Sequence, residues 1–166
     1  MDIKKVFNDA YKTDILPIQV YCDEIYRNNG FEACFCNVST LIGKMESNMN
    51  PISDHDLEWI LIELPMKLFT ASESLNKLKL SLEVIKLKLK ESKSEKDSDL
   101  ETITEYQILK IIHETLISKV ESQITLSKEL IMGAKKVWDS RRIGEKSNPV
   151  KEIDLPDYDP NQTYIK

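Results

Sequence analysis

Glycine and proline are scarce in this sequence. Its 166 residues include only 4 glycines and 6 prolines. Many of the tight turns of β-rich proteins depend on glycine or proline, so the scarcity of these two residues disfavours a β-rich fold. We therefore expect a mostly helical chain.

Long hydrophobic runs are also missing. No run of 18 apolar residues occurs, and the N-terminal stretch MDIKKVFNDAYK lacks the apolar core of a signal peptide. A helix needs about 20 apolar residues to cross a bilayer. We expect a cytoplasmic protein, in the cytoplasm of the host cell if its source is viral.

Cysteine and histidine are too few for a disulfide framework or a metal site. The chain has 3 cysteines (Cys22, Cys34 and Cys36) and 2 histidines (His55 and His113). An odd number of thiols confined to the first 36 residues disfavours a disulfide framework. A lone C-x-C lacks the second pair of ligands that zinc requires. We expect reduced, buried thiols and neither metal nor cofactor.

Catalytic motifs are lacking as well. The sequence contains no Gly-rich phosphate loop, no nucleophile elbow and no H-E-x-x-H motif. Its two histidines fall on separate predicted helices, so they do not suggest a catalytic triad. We expect that the protein is not an enzyme.

One long apolar repeat dominates the middle of the chain. Its members are spaced alternately four and three residues apart, as in a coiled coil. They are Leu57, Leu61, Leu64, Leu68, Ala71, Leu75, Leu78, Leu82, Ile85 and Leu89. Ser53 and Asp56 resemble a capping box at the start, so a helix is predicted over about 54–91, with a kink near Pro65.

A second helix of matching length is predicted over about 100–142. His113, Ile117, Val120, Ile124, Ser127, Ile131, Ala134 and Trp138 repeat the same spacing. The polar residues 92–99 between the helices cannot be buried and indicate an exposed turn. The fold class is therefore all-α: two long antiparallel helices in a coiled-coil-like hairpin.

Smaller segments flank this hairpin. Residues 1–50 are interpreted as a small N-terminal helical cap, in which the apolar spacing from Phe31 to Met49 predicts one helix face. The hairpin occupies 51–144. An extended tail follows over 145–166, because its mixture of acidic, aromatic and proline residues does not favour a helix. Such a tail could recruit a partner or lie across a neighbouring subunit.

The first long helix carries a second apolar line. Trp59, Met66, Leu80 and Leu87 lie seven or fourteen residues apart, on the side away from the main repeat. One hairpin partner cannot cover both faces, so either the N-terminal helices cover the near half or another subunit does. We interpret these four residues as an oligomer interface and expect a homo-oligomer.

Charge is unevenly distributed despite a net charge of −5. Residues 67–93 contain 7 lysines against 3 glutamates. Lys79, Lys86 and Lys93 are seven residues apart, with Lys88 and Lys90 beside them. Such a stripe could bind the phosphates of single-stranded DNA. The alternative is a solvated coiled-coil flank that pairs with nearby carboxylates.

A second basic cluster lies at the end of the second predicted helix, which we call the return helix. It consists of Lys135, Lys136, Arg141 and Arg142 around Trp138. An aromatic ring among cations could stack on bases. Alternatively, Trp138 packs into the hairpin and the arginines complement the helix dipole.

The long helix, polar tip, return helix and basic end together resemble the UvsY-type recombination mediators of tailed phages. The resemblance covers about 54–142, and Lys86-Leu87-Lys88 stands where the family has a basic K-x-R pair. It implies a ring-forming oligomer that binds single-stranded DNA and helps to load a recombinase by displacing a single-strand-binding protein. The sequence departs from the family pattern in its N-terminal cap, acidic tail and lysine in place of arginine.

Two functional hypotheses follow. In the first, the chain is a recombination mediator whose Lys79, Lys86, Lys88 and Lys90 contact phosphates without reading bases. In the second, it is a coiled-coil interaction protein, such as a viral assembly chaperone or an inhibitor of a host factor. Its second apolar line would then bind another protein, and its lysines would only be solvated.

Overall fold

The computed structural model describes residues 16–47, 52–94 and 99–147, and the described residues are all helical or in short connections. Three short helices come first: α1 (Leu16–Asn28), α2 (Phe31–Phe35) and α3 (Val38–Glu46). The outgoing helix, residues 54–94, consists of α4 (Asp54–Glu58), a π-helical turn (Trp59–Glu63) and α5 (Leu64–Ser94). The return helix is α6 (Leu100–Ser147).

The predicted hairpin of two long helices is confirmed. The outgoing and return helices lie antiparallel and pack against each other along their lengths. The first extends three residues beyond its predicted end, and the second continues to residue 147. Residues 145–147, expected in the extended tail, are therefore helical; the rest of the tail, 148–166, lies outside the described residues.

The heptad repeat forms the core of the hairpin. Most of the predicted positions on the outgoing helix are buried, and they face buried residues of the return helix. We call the end of the hairpin opposite the connecting turn, where the outgoing helix begins, its base. Near this base, Ile60 is fully buried whereas Leu61 is only partly covered. Leu64 donates its amide proton to the carbonyl of Trp59, a bond over five residues. This π-helical turn inserts an extra residue and rotates the residues before it relative to the repeat.

Pro65 explains the position of the π-helical turn. It has no amide proton for the carbonyl of Leu61, and its ring would crowd that carbonyl in a regular α-helix. The helix continues through Pro65, as predicted, and the wider turn lies directly before it.

The N-terminal helices cover one side of the hairpin near its base. α1 contains Pro17 in its first turn, where a proline is tolerated, and ends before Gly30. The φ of Gly30, 76°, lies in the left-handed region that glycine tolerates. The single helix expected from Phe31 onward is divided by a turn at Cys36 and Asn37. Residues 1–15 and 48–50 of the predicted cap, and residue 51 at the start of the predicted hairpin, lie outside the described residues.

Specific contacts attach these helices to the return helix. The Tyr26 hydroxyl donates to Gln123 Oε1 at 2.8 Å, and Lys119 Nζ lies 4.3 Å from the centre of the Tyr26 ring. Met45 Cε packs so close to Gly133 that a Cβ there would lie 2.7 Å from it. Cap and hairpin consequently share one core.

The predicted capping box starts the outgoing helix. The Asp56 amide donates to Ser53 Oγ at 3.1 Å, while the Ser53 amide and hydroxyl donate to Asp56 Oδ2 at 3.1 and 2.8 Å. Lys44 Nζ, from α3, donates to both carboxylate oxygens at 2.9 and 3.0 Å. The Lys44 ammonium and the Ser53 hydroxyl together lower the pKa of Asp56 to about 2.

Replacing Asp56 tests this network. We expect Asp56→Asn to lower the free energy of unfolding by about 1–2 kcal/mol at pH 7, the usual contribution of a helix cap. The ionised carboxylate stabilises the fold above its ordinary pKa of 3.8, and that contribution is lost as the pH falls through about 2. The difference between wild type and variant should therefore shrink in acid.

Chemical denaturation at pH 7 and in acid measures both effects. Glu129→Gln, an exposed mid-helix change without an ion pair in the described part of the chain, is the control. An equal loss in the two variants at pH 7, or a constant Asp56→Asn deficit down to pH 2, would contradict the role of Asp56.

Candidate nucleic-acid interface and exposed apolar stripe

Carboxylates already pair with two members of the predicted lysine stripe. Lys79 Nζ lies 2.6 Å from Glu121 Oε1 and joins the two long helices. Lys86 Nζ donates to Glu83 Oε1 at 2.8 Å, which raises the pKa of Lys86. These contacts match the alternative of a coiled-coil flank. Such exposed pairs stabilise a fold only slightly, but they offset charge that a phosphate would otherwise meet.

The K-x-K pair does not point in one direction. Two residues of α-helix turn Lys88 by about 200° relative to Lys86, so the two ammonium groups lie on nearly opposite sides. Within the described part of the chain, Lys88, Lys90 and Lys93 form no ion pair within 4 Å. The structure thus divides the predicted stripe into paired lysines and separate free ones.

The second basic cluster is also divided. Arg141 reaches across the base of the hairpin, where its guanidinium pairs with Asp54 and donates to the backbone carbonyl of Ile52 at 2.6 Å. It connects the end of the return helix to the start of the outgoing helix. Lys135, Lys136 and Arg142 remain exposed.

A more regular basic surface lies on the return helix. Lys128, Lys135 and Arg142 are seven residues apart, so they follow one another along one side for about 21 Å. All three are exposed, and none has an ion pair among the described residues. Trp138 lies between the last two and is 40% exposed. We name Lys128, Lys135, Trp138 and Arg142 the basic face.

The basic face differs from the sequence-based prediction in two ways. Trp138 occupies the apolar repeat but is 40% exposed, so its side chain is not fully packed into the hairpin. Lys128 lies outside the cluster predicted from the sequence, which begins at Lys135. The seven-residue spacing from Lys128 to Arg142 was the available signal.

An apolar stripe runs along the outside of the outgoing helix. Its six members are between 51% and 70% exposed, and their spacing places them on one side of the helix. They are Ile62, Met66, Phe69, Leu80, Val84 and Leu87. Their combined exposed area is several hundred Å², which is the size of surface patches that mark interaction sites. The described N-terminal helices leave all six exposed.

Trp59, predicted to belong to this line, lies elsewhere. Its side chain is partly buried against the core, and Lys67 Nζ lies 5.6 Å from the centre of its ring. Lys67 also donates to the carbonyl of Ala33 in α2 at 3.0 Å. Trp59 therefore lies beside the N-terminal helices, whereas Met66, Leu80 and Leu87 face solvent as expected.

The three cysteines of the described residues differ in burial. Cys34 is buried and Cys22 half-buried, but Cys36 is exposed, contrary to the expectation of three buried thiols. Burial raises the pKa of Cys22 and of Cys34, which disfavours their thiolate forms. The described residues contain no group of three or more His, Cys, Asp or Glu that could hold a metal ion.

None of the described helices combines the length and apolar character that a membrane span requires. Comparison with protein-family models, curated proteins and solved structures finds no match for this chain.

Arg141 and Arg142 are neighbours, but only Arg141 has contacts at the base of the hairpin among the described residues. We expect Arg141→Gln to lower the free energy of unfolding by about 1–2 kcal/mol, because it removes two contacts at the base of the hairpin. Arg142→Gln should change it by less than about 0.5 kcal/mol, as for most exposed substitutions. Urea denaturation of both variants measures the difference, and equal effects would contradict a closing role for Arg141.

Proposed function

We propose that this protein is a non-enzymatic helical scaffold that binds single-stranded DNA, as a recombination mediator does. The exposed basic face on the return helix is the observation that supports this most directly. Three cations at regular intervals can neutralise phosphates along a strand without reading sequence. Trp138, between two of them, offers a ring on which a base can stack.

The basic face supports the proposal better than the lysine stripe does. Lys79 and Lys86 have carboxylate partners, and Lys88 is turned away from Lys86. A DNA strand bound to the lysine stripe would have to compete with these ion pairs or bend around the helix. The cations of the basic face have neither disadvantage, so we assign the principal DNA contact to this surface. Lys90 and Lys93 lie near the tip of the hairpin, outside this contact.

Charge along the return helix is consistent with a contact near the base. Glu114 and Glu121 occupy the same heptad position as the three cations but lie nearer the tip. Along the return helix, the residues at this heptad position therefore change from acidic to basic between residues 121 and 128. A strand bound to the basic face would lie toward the base of the hairpin, away from both glutamates.

A titration with a labelled oligo-dT strand tests the proposal. We expect binding at low salt that weakens steeply as salt rises, because phosphate contacts release counterions. Replacing Lys128, Lys135 and Arg142 together by Gln should reduce the slope of log K against log salt by about 2, at roughly 0.7 per cation for single strands. Trp138→Ala should weaken binding by a further 1–3 kcal/mol, approximately the contribution of one stacked base.

A charge-matched variant is the control. Replacing Lys79, Lys86 and Lys110 by Gln removes the same total charge from cations that already have carboxylate partners. The control should retain nearly all affinity. Absence of binding at low salt would refute the DNA-binding function, and an equal loss in both triple variants would refute the basic face as the contact.

A second candidate function is that of a helical interaction protein. The observation that favours it is the apolar stripe, in which six large side chains of one helix face solvent. In this case the chain would bind no oligo-dT at low salt but would still associate through its outgoing helix. The DNA titration therefore separates the two candidates.

A further inference from the structure

The apolar stripe is symmetric about its own midpoint. Its residues can be paired from the outside inward: Ile62 with Leu87, Met66 with Val84, and Phe69 with Leu80. The midpoints of these pairs are residues 74.5, 75 and 74.5, calculated from the numbering. A helix surface of this kind is complementary to a second copy of itself that runs in the opposite direction.

We propose that the apolar stripe binds the stripe of a second copy of this chain, with the two outgoing helices antiparallel and a two-fold axis near residues 74 and 75. In this arrangement Ile62 packs against Leu87 of the partner subunit. Phe69 packs against Leu80 of the partner subunit, on the inner side of the contact. Each apolar residue of the stripe meets another apolar residue.

The charged residues support the same direction. Glu73 and Lys77, which interrupt the stripe, have their midpoint at residue 75. In the antiparallel pair, Glu73 lies opposite Lys77 of the partner subunit. In a parallel pair, each glutamate would lie beside its own copy, an arrangement of like charges that is destabilising.

A second pair of opposite charges lies at the edge of the stripe. Glu63 and Lys88 each follow a stripe residue, Ile62 or Leu87, by one position, so they lie on the same flank. Equivalent flanks of two antiparallel helices face each other. Glu63 therefore approaches Lys88 of the partner subunit, whereas within one chain the two residues are separated by about 38 Å of helix.

The length of the stripe is consistent with a specific dimer interface. The stripe extends from residue 62 to 87, about 38 Å at 1.5 Å per residue. Two helices in contact over that length approach the standard area of protein interfaces. A two-fold contact uses the same surface on both copies and closes after two subunits, unlike the head-to-tail contact that builds a ring.

Sedimentation equilibrium of the full chain without DNA tests the dimer. We expect a species of twice the 19.2 kDa chain mass. Leu80→Asp should weaken association at least roughly tenfold, because the interface would bury an unpaired carboxylate. Met132→Asp, an equally drastic change at an exposed position of the return helix, should leave the dimer intact.

Several outcomes would overturn the proposal. A wild-type chain that remains monomeric up to about 100 µM, or that forms a larger closed ring, excludes this two-fold contact. Equal weakening by Leu80→Asp and Met132→Asp, with helix content preserved by circular dichroism, places association elsewhere. The dimer contact and the proposed DNA contact lie on different helices. Replacing the three basic-face cations should therefore leave the dimer unchanged.

Charge exchange tests the antiparallel direction. We expect Glu63→Lys and Lys88→Glu each to weaken the dimer severalfold, because each brings like charges together. The double variant restores opposite charges across the interface and should recover most of the wild-type affinity. Without recovery in the double variant, the antiparallel register is wrong, since a parallel pair keeps these residues about 38 Å apart.

Discussion

The apolar seam between the two long helices is the constraint on which the rest of the structure depends. A helix of 41 residues without a packing partner would expose every apolar side chain it carries, and its backbone hydrogen bonds alone stabilise it little. Burying the heptad repeat against the return helix fixes the antiparallel direction and the relative register of the two helices. The N-terminal helices then complete the core on one side near the base.

Closure of the base determines which charges remain free. The start of the outgoing helix is held by two ion pairs. Asp56 pairs with Lys44 of α3, and Asp54 pairs with Arg141 near the end of the return helix. Arg141 also donates to the carbonyl of Ile52. Lys79 and Glu121 connect the helices further along. Cations close to the seam therefore have structural partners. Those on the outer surface of the return helix, such as Lys128 and Lys135, have none among the described residues.

The two exposed surfaces belong to different helices. The apolar stripe lies on the outgoing helix and the basic face on the return helix. Self-association through the first would therefore not use the residues proposed to bind DNA. A dimer of the proposed kind would also contain two basic faces, and two linked sites bind a long strand more tightly than one. The hairpin would then act as a scaffold whose two faces have separate roles.

Residue spacing alone determined the all-α class, the two long helices, most of the seam and the Ser53–Asp56 capping box. These features depend on local periodicity and on groups three or four residues apart, which a sequence displays directly. Only the tertiary structure decided that Arg141 closes the base, that Trp59 packs against the core and that Trp138 is exposed. It also decided that Ile60 is buried in preference to Leu61. These outcomes depend on which surfaces of distant segments meet, and on the π-helical turn before Pro65 that shifts the helix phase. The spacing of residues along the chain encodes neither the contacts between distant segments nor the π-helical turn.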